Sequence, residues 1–208
     1  LPAGAATIAP ATLKGAASYS ETAGLAGTVG VVPFLGAVAW LVVVAGGDDG
    51  REIVCLVPAS AVDFDPHASL GGDAQAKLRL DGVQPETVGV LPPGAPPGTL
   101  ELAGAALRAG QMAGALEALV EITTAYAGER VAFGRPIAKF QAIQHGLARL
   151  AGEAAAAVTA AKACAWTLEP GDNPGATPVL PVAAAKIRVG EAAAVGAGIA
   201  HQTLGAMG

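Results

Sequence analysis

The sequence predicts an α+β protein: a β-sheet or barrel-like unit over residues 1–98, then an antiparallel up-and-down helical bundle over residues 99–208. Three observations carry that expectation. Short β-rich runs occupy the first half, a proline-rich connector lies at 91–98, and long alanine-rich segments with a three-to-four apolar spacing fill the second half.

Taken in order, residues 1–24 are small and patternless. Residues 41–45 and 52–57 are β-rich, and Gly46, Gly47, Asp48, Asp49 and Gly50 between them have the composition of a hairpin loop. Asp63 through Pro66 reads as punctuation, and 76–82 alternates polar with apolar, as a half-buried strand does. Pro92, Pro93, Pro96 and Pro97 stiffen the connector, because proline continues neither a ladder nor a helix. Thr99 is placed to cap the first helix, with Glu101 near its positive end. Leu102, Ala106, Ala109, Met112, Leu116, Leu119 and Thr123 then share one face. A second helix repeats the pattern through Phe140, Ile143, Leu147, Leu150, Ala154, Val158, Ala161 and Ala165. Residues 169–177 break it, and a third helix is expected from 181 to 202.

Composition excludes several classes. A net charge of −5 with 12 Lys and Arg lacks the basic face that nucleic acid requires. Cys55 and Cys164 have no paired or metal-ligand spacing and read as buried thiols of a reducing cytoplasm. His67, His145 and His201 are scattered, so no metal site is expected. Residues 29–45 are almost wholly apolar, yet Pro33 and Gly36 interrupt them and no Lys or Arg cluster flanks them. Two buried strands with a bend fit better than a membrane span. The N-terminus shows no basic region ahead of an apolar core, so no signal peptide is expected.

The segment between the first two helices carries the chemistry. Arg130 has the planar fork that pairs bidentately with phosphate. Phe133 offers a flat face, Gly134 permits close backbone approach, and Gln141 supplies donor and acceptor. These residues suit a flavin or nucleotide better than a metal. The alternative is a helix-to-helix turn with a solvated arginine and a phenylalanine packed in the core.

Arg130-x-x-Phe133-Gly134, followed by Pro136-Ile137 and Phe140-Gln141, resembles the start of the C-terminal helical domain of acyl-CoA dehydrogenases. Gln202-Thr-Leu-Gly205-Ala206-Met-Gly208 resembles that family's Gln-x-x-Gly-Gly-x-Gly segment, and Lys186 in Ala-Ala-Lys is also as the family has it. The likeness is weak before Leu100 and good after Tyr126. It implies an incomplete β-rich middle domain at 1–98 and a truncated C-terminal helical domain at 99–208, with the N-terminal helical domain missing. It further implies FAD-dependent α,β-dehydrogenation of an acyl-CoA thioester, as in fatty acid β-oxidation, by a cytoplasmic homo- or hetero-tetramer. Electrons would pass to an electron-transfer flavoprotein or similar acceptor. Carried over by position, Arg130 would reach the FAD pyrophosphate across a subunit boundary, with Phe133 packing on the cofactor and Gln141 hydrogen-bonding it. Gln202, Gly205 and Ala206 would form the turn near the adenylate, Ala206 standing where the family has a second glycine. Gln202 as a solvated helix-end amide is the alternative.

Two departures accompany the resemblance. The ungapped position of one branch's catalytic base is Gly104, so no base is nominated. Val31, Val32 and Pro33 stand where the family often has Trp-Ile-Thr against the flavin. Both departures suit a non-catalytic structural partner in a heteromeric enzyme. An acyl-CoA oxidase-like flavoprotein is a further alternative.

Overall fold

The computed structural model describes residues 8–11, 17–33, 38–48, 50–69, 72, 74–91, 98–168 and 179–207. The chain divides into two compact units, Leu1–Pro97 and Gly98–Gly208. The expected connector at 92–97 and helix break at 169–177 lie outside the described residues.

The first unit holds an eight-stranded sheet among its described residues. Its strands are β1 (Ile8–Ala11), β2 (Ala17–Ser20), β3 (Gly24–Pro33), β4 (Trp40–Gly47), β5 (Glu52–Pro58), β6 (Asp63–Ala68), β7 (Ala74–Val83) and β8 (Thr87–Val90). The order is β6-β7-β3-β2-β4-β5-β8, with β1 beside β4. The pairs β1–β4 and β2–β4 are parallel and the others antiparallel. The expected hairpin joins β4 to β5, with Trp40 opposite Pro58 and Gly46 opposite Glu52; Gly46 and Gly47, expected in its loop, end β4 instead, and Asp49 lies outside the described residues. Alternation decides the inward face: Leu41, Val43 and Ala45 on β4, Ile53, Cys55 and Val57 on β5, and Ala76, Leu78 and Leu80 on β7 are all buried.

Two sequence expectations fail in this unit. Residues 1–24, read as patternless, contain β1 and β2. Asp63 through Pro66, read as punctuation, is the start of β6. That strand lies at the sheet edge, where a proline need not donate to a ladder.

The second unit contains α1 (Thr99–Glu129), α2 (Gln141–Thr167) and α3 (Val179–Leu204). Thr99 is the first helical residue rather than the cap, which is Gly98 in the left-handed region at φ 85°. The buried faces are Ala109, Ala113, Leu116, Thr123 and Ala127 on α1, and Leu150, Ala154, Ala157 and Cys164 on α2. On α2 the face turns toward Ala157 and Cys164, leaving the expected Ala165 exposed. Val182, Ala185, Val189, Ala192 and Gly196 line α3. No helix among the described residues is long and apolar enough to cross a membrane.

Small side chains set the helix separation. A Cβ built on Gly196 would lie 2.6 Å from Leu116 Cδ2 and 3.0 Å from Leu150 Cδ1. One glycine on α3 therefore receives leucines from both other helices. Arg188 and Glu153 add a half-buried ion pair between α3 and α2. Both cysteines are free and buried, and burial pushes the Cys55 thiol up to about 11 and raises that of Cys164 as well.

Leu150 is fully buried in the three-helix contact. Leu150→Ala is expected to destabilise the helical unit by about 2–5 kcal/mol, since the cavity can collapse only partly. Urea unfolding followed by helical circular dichroism checks it, and a loss under about 1 kcal/mol would contradict this packing.

Candidate functional site

The segment joining α1 to α2 is a miniature β-hairpin rather than a plain helix-to-helix turn. Val131 and Ala132 (β9) pair antiparallel with Arg135 and Pro136 (β10), Ala132 opposite Arg135 and Val131 opposite Pro136. Phe133 and Gly134 form the tip, with φ 51° and 75°. Positive φ at both central residues is the type I′ geometry that matches strand twist. Glycine adopts it without cost, whereas a phenylalanine there is uncommon and strained.

Backbone bonds fasten the base of this hairpin. Arg130 N–H donates to Tyr126 O at 2.8 Å and closes α1, and Ile137 N–H donates back to Arg130 O at 2.8 Å. A 3₁₀ turn over Ile137–Lys139 follows, and Phe140 then stands at the N-cap position of α2. Gln144 Nε2 donates to Ala138 O at 2.9 Å, tying the turn to the helix it precedes.

The side chains point outward. Phe133 is 94% exposed, which overturns the core-packing alternative. Its ring meets Phe140 edge-on, with centroids 6.2 Å apart and planes at 85°. Arg130 and Gln141 are exposed, and among the described residues neither side chain has a hydrogen-bond or ion-pair partner. Arg135 stacks its guanidinium 4.4 Å from the Phe140 centroid. Arg130, Arg135 and Lys139 thus gather three of the chain's 12 basic residues on one corner of an acidic protein.

The second motif lies at the same end of the unit. Tyr126, one turn before Arg130, donates its hydroxyl to Leu204 O at 3.3 Å, linking the last turns of α1 and α3. Gln202 is exposed on that turn of α3. Gly205 follows at φ 64°, with no atom within 4 Å of where a Cβ would stand. Gly134 is equally open. Ala206 is exposed, so its methyl lies at a surface that the backbone of Gly205 leaves accessible. The fold therefore gathers the six predicted residues, Arg130, Phe133, Gln141, Gln202, Gly205 and Ala206, at one end of three helices.

That end can bind an elongated anion with an aromatic part. Guanidinium and amide groups with no protein partner meet phosphate and carbonyl oxygens, Phe133 gives a stacking edge, and two glycines admit close approach. It is a half-site: all six residues face outward, so a ligand here would need its other side covered from elsewhere.

The remaining positions behave differently. Gly104 lies inside α1, and a Cβ there would touch nothing within 4 Å. Val32 is only 1% exposed and belongs to the core of the first unit. Glu101 has one carboxylate oxygen buried without a hydrogen-bond partner among the described residues. Sequence reasoning missed Arg135 as a structural partner of Phe140 and Tyr126 as the link between helix ends.

Comparisons with known proteins bear on the family and the fold. A family model for the acyl-CoA dehydrogenase C-terminal domain matches residues 102–208. No curated protein gives a sequence match. Among solved structures, a variant of the Tcur3481-Tcur3483 steroid ACAD is 28% identical with a TM-score of 0.75, covering 96% of this chain and 52% of that one. The ChsE4-ChsE5 complex from Mycobacterium tuberculosis is 25% identical with a TM-score of 0.70, covering 96% and 55%. A glutaryl-CoA dehydrogenase from Mycobacterium smegmatis in complex with FADH2 is 23% identical with a TM-score of 0.70, covering 99% and 52%, a likeness of fold. The chain spans about half the length of these structural relatives.

The strained tip yields a stability test. Phe133→Gly should be more stable than Phe133→Ala by about 1 kcal/mol, because glycine accepts positive φ and alanine does not. Paired urea melts measure the difference; equal stability would mean that the backbone at 133 is not held left-handed.

Proposed function

The chain belongs to the acyl-CoA dehydrogenase family, and from that premise we propose that its helical corner holds FAD within an oligomer that dehydrogenates an acyl-CoA thioester at its α and β carbons. The observation that carries the reading is the exposed, unpartnered Arg130 beside an outward, strained Phe133, on the same helix end as Gln202 and Gly205.

Each residue has a distinct task in this reading. Arg130 offers two parallel N–H donors to a diphosphate, where lysine would offer a point charge. Phe133 packs its face against an aromatic part of the same ligand, and Gln141 and Gln202 supply neutral donors and acceptors along it. Gly134 and Gly205 keep Cβ atoms out of the approach. When bound, the flavin supplies the hydride acceptor that no side chain provides. Because the corner is a half-site, a neighbouring subunit completes it, in keeping with a homo- or hetero-tetramer. One structural relative is a two-protein complex, ChsE4-ChsE5, and another is in complex with FADH2. An electron-transfer flavoprotein or similar partner would then accept the electrons.

A second reading is favoured by Gly104. The α proton of a thioester must be removed by a base, and the position aligned with one branch's base carries no side chain. In that reading the chain is a structural partner that lends Arg130 to another subunit's flavin. Gly104→Glu separates the two, since nothing lies within 4 Å of a Cβ there to obstruct the new side chain. The complete polypeptide is expressed alone and with a candidate partner. Turnover by the lone wild-type chain eliminates the structural-partner reading. Turnover gained only by Gly104→Glu supports it.

Arg130→Lys is expected to weaken FAD retention by roughly ten- to a hundredfold, the equivalent of one charge-assisted hydrogen bond of about 1.5–3 kcal/mol. Flavin absorbance retained by the purified assembly during dilution is the measurement. Retention indistinguishable from wild type would place the diphosphate elsewhere.

A further inference from the structure

A hairpin with only two paired positions does not hold itself together in water. The base of β9–β10 is closed by the Ile137 to Arg130 backbone bond, but that bond does not restrain the tip. Among the described residues, the aromatic and cation–π contacts at the tip share one ring. Phe140 receives the edge of Phe133 and the guanidinium of Arg135. Phe140 is itself anchored, because it occupies the N-cap of α2 and its carbonyl accepts from the N–H groups of Ile143 and Gln144 at 3.1 Å each. The helix end thus holds a ring, and the ring holds one residue of the turn, Phe133, and the first residue of β10, Arg135.

From this arrangement we propose that Arg135 is a positioning residue that acts through Phe140, pinning the hairpin so that Phe133 and Arg130 are presented to the ligand before it arrives. The proposal deepens the flavin reading and rests on it. A cation over a ring face and an aromatic edge against the same ring together fix the tip where either alone leaves it free to swing. Arg135 gives up none of its charge in doing so, and its stack keeps the guanidinium over the Phe140 ring. Pre-ordering lowers the entropy that binding must overcome, so its loss weakens retention without removing any ligand contact.

The experiment uses the complete protein in its assembled form with five variants: Arg135→Gln, Arg135→Lys, Phe140→Leu, Phe140→Tyr and the Arg135→Gln/Phe140→Leu double variant. Two quantities are read: amide hydrogen exchange across residues 131–137 without flavin, and the dissociation constant for added FAD. Arg135→Gln and Phe140→Leu should each speed exchange and weaken FAD by roughly two- to five-fold, as expected for an exposed cation–π contact. Arg135→Lys, which keeps a cation over the ring, should recover most of both. The double variant should be no worse than the more severe single, because the two residues act as one unit.

Phe140→Tyr guards against trivial misfolding, since it keeps the ring and should behave as wild type. The proposal is overturned if the single effects add, if Arg135→Gln weakens FAD while exchange is unchanged, or if neither quantity moves. Failure of the flavin reading looks different. In that case Arg130→Lys leaves FAD retention unchanged, while the exchange data still report whether Arg135 and Phe140 pin the tip.

Discussion

Three helices meet at the missing side chain of Gly196, and that contact sets the geometry of everything at their ends. Leu116 of α1 and Leu150 of α2 both press into the space where a Cβ would stand. Alanine supplies most of the surrounding surface, at Ala109, Ala113, Ala154, Ala157 and Ala192. Small residues bring backbones close, and close backbones leave little freedom in how far apart the helix ends lie. Tyr126 can therefore reach Leu204 from one helix to another. The spacing of the Arg130 corner from the Gln202 turn follows from a core built of alanine, glycine and a few leucines.

Such a core buries little apolar area per residue, so stability rests on interdigitation rather than bulk. The first unit solves the same problem differently, with Leu25, Leu41, Leu78 and a run of valines packed by strand alternation. Val32 illustrates the consequence. The resemblance in sequence would set it where the family often meets the flavin, yet here it is committed to the sheet core at 1% exposure. A side chain so placed serves packing, and a ligand contact there would have to come from the backbone or from another chain.

The three helices and the β4–β5 hairpin are legible in the sequence because each rests on a pattern repeated along many residues. Leu116, Leu150 and Val189 fall on a helical period, and Leu41, Val43 and Ala45 on a strand period. Local chemistry misleads where one residue has two uses. Pro66 reads as a breaker but sits on an edge strand, and Thr99 reads as a cap while Gly98 takes that position. The six candidate site residues are legible as motifs, but their gathering at one end of the bundle follows from the tertiary link between Tyr126 and Leu204. The β9–β10 hairpin is not legible, since type I′ turns are signalled by Asn-Gly or Asp-Gly and this one is Phe-Gly. Arg135 is invisible for a related reason: its partner Phe140 looks like the first residue of a buried helical face.

That Phe-Gly turn is the strongest indication that the corner serves something outside this chain. Asparagine at 133 would tolerate the left-handed backbone better, and a polar residue would spare water the contact with an exposed ring. The edge contact with Phe140 returns about 0.5–1.5 kcal/mol, comparable to the roughly 1–2 kcal/mol of left-handed strain. The folded chain alone therefore gains little from phenylalanine at this position. On the proposed function, a residue that is strained, exposed and nearly neutral for folding would find its benefit in a bound state, where a flat apolar face beside Arg130 is covered. The same logic separates the corner from the exposed Leu107 and Ile122 on α1, which adopt ordinary helical backbone and carry no strain that a ligand would have to offset.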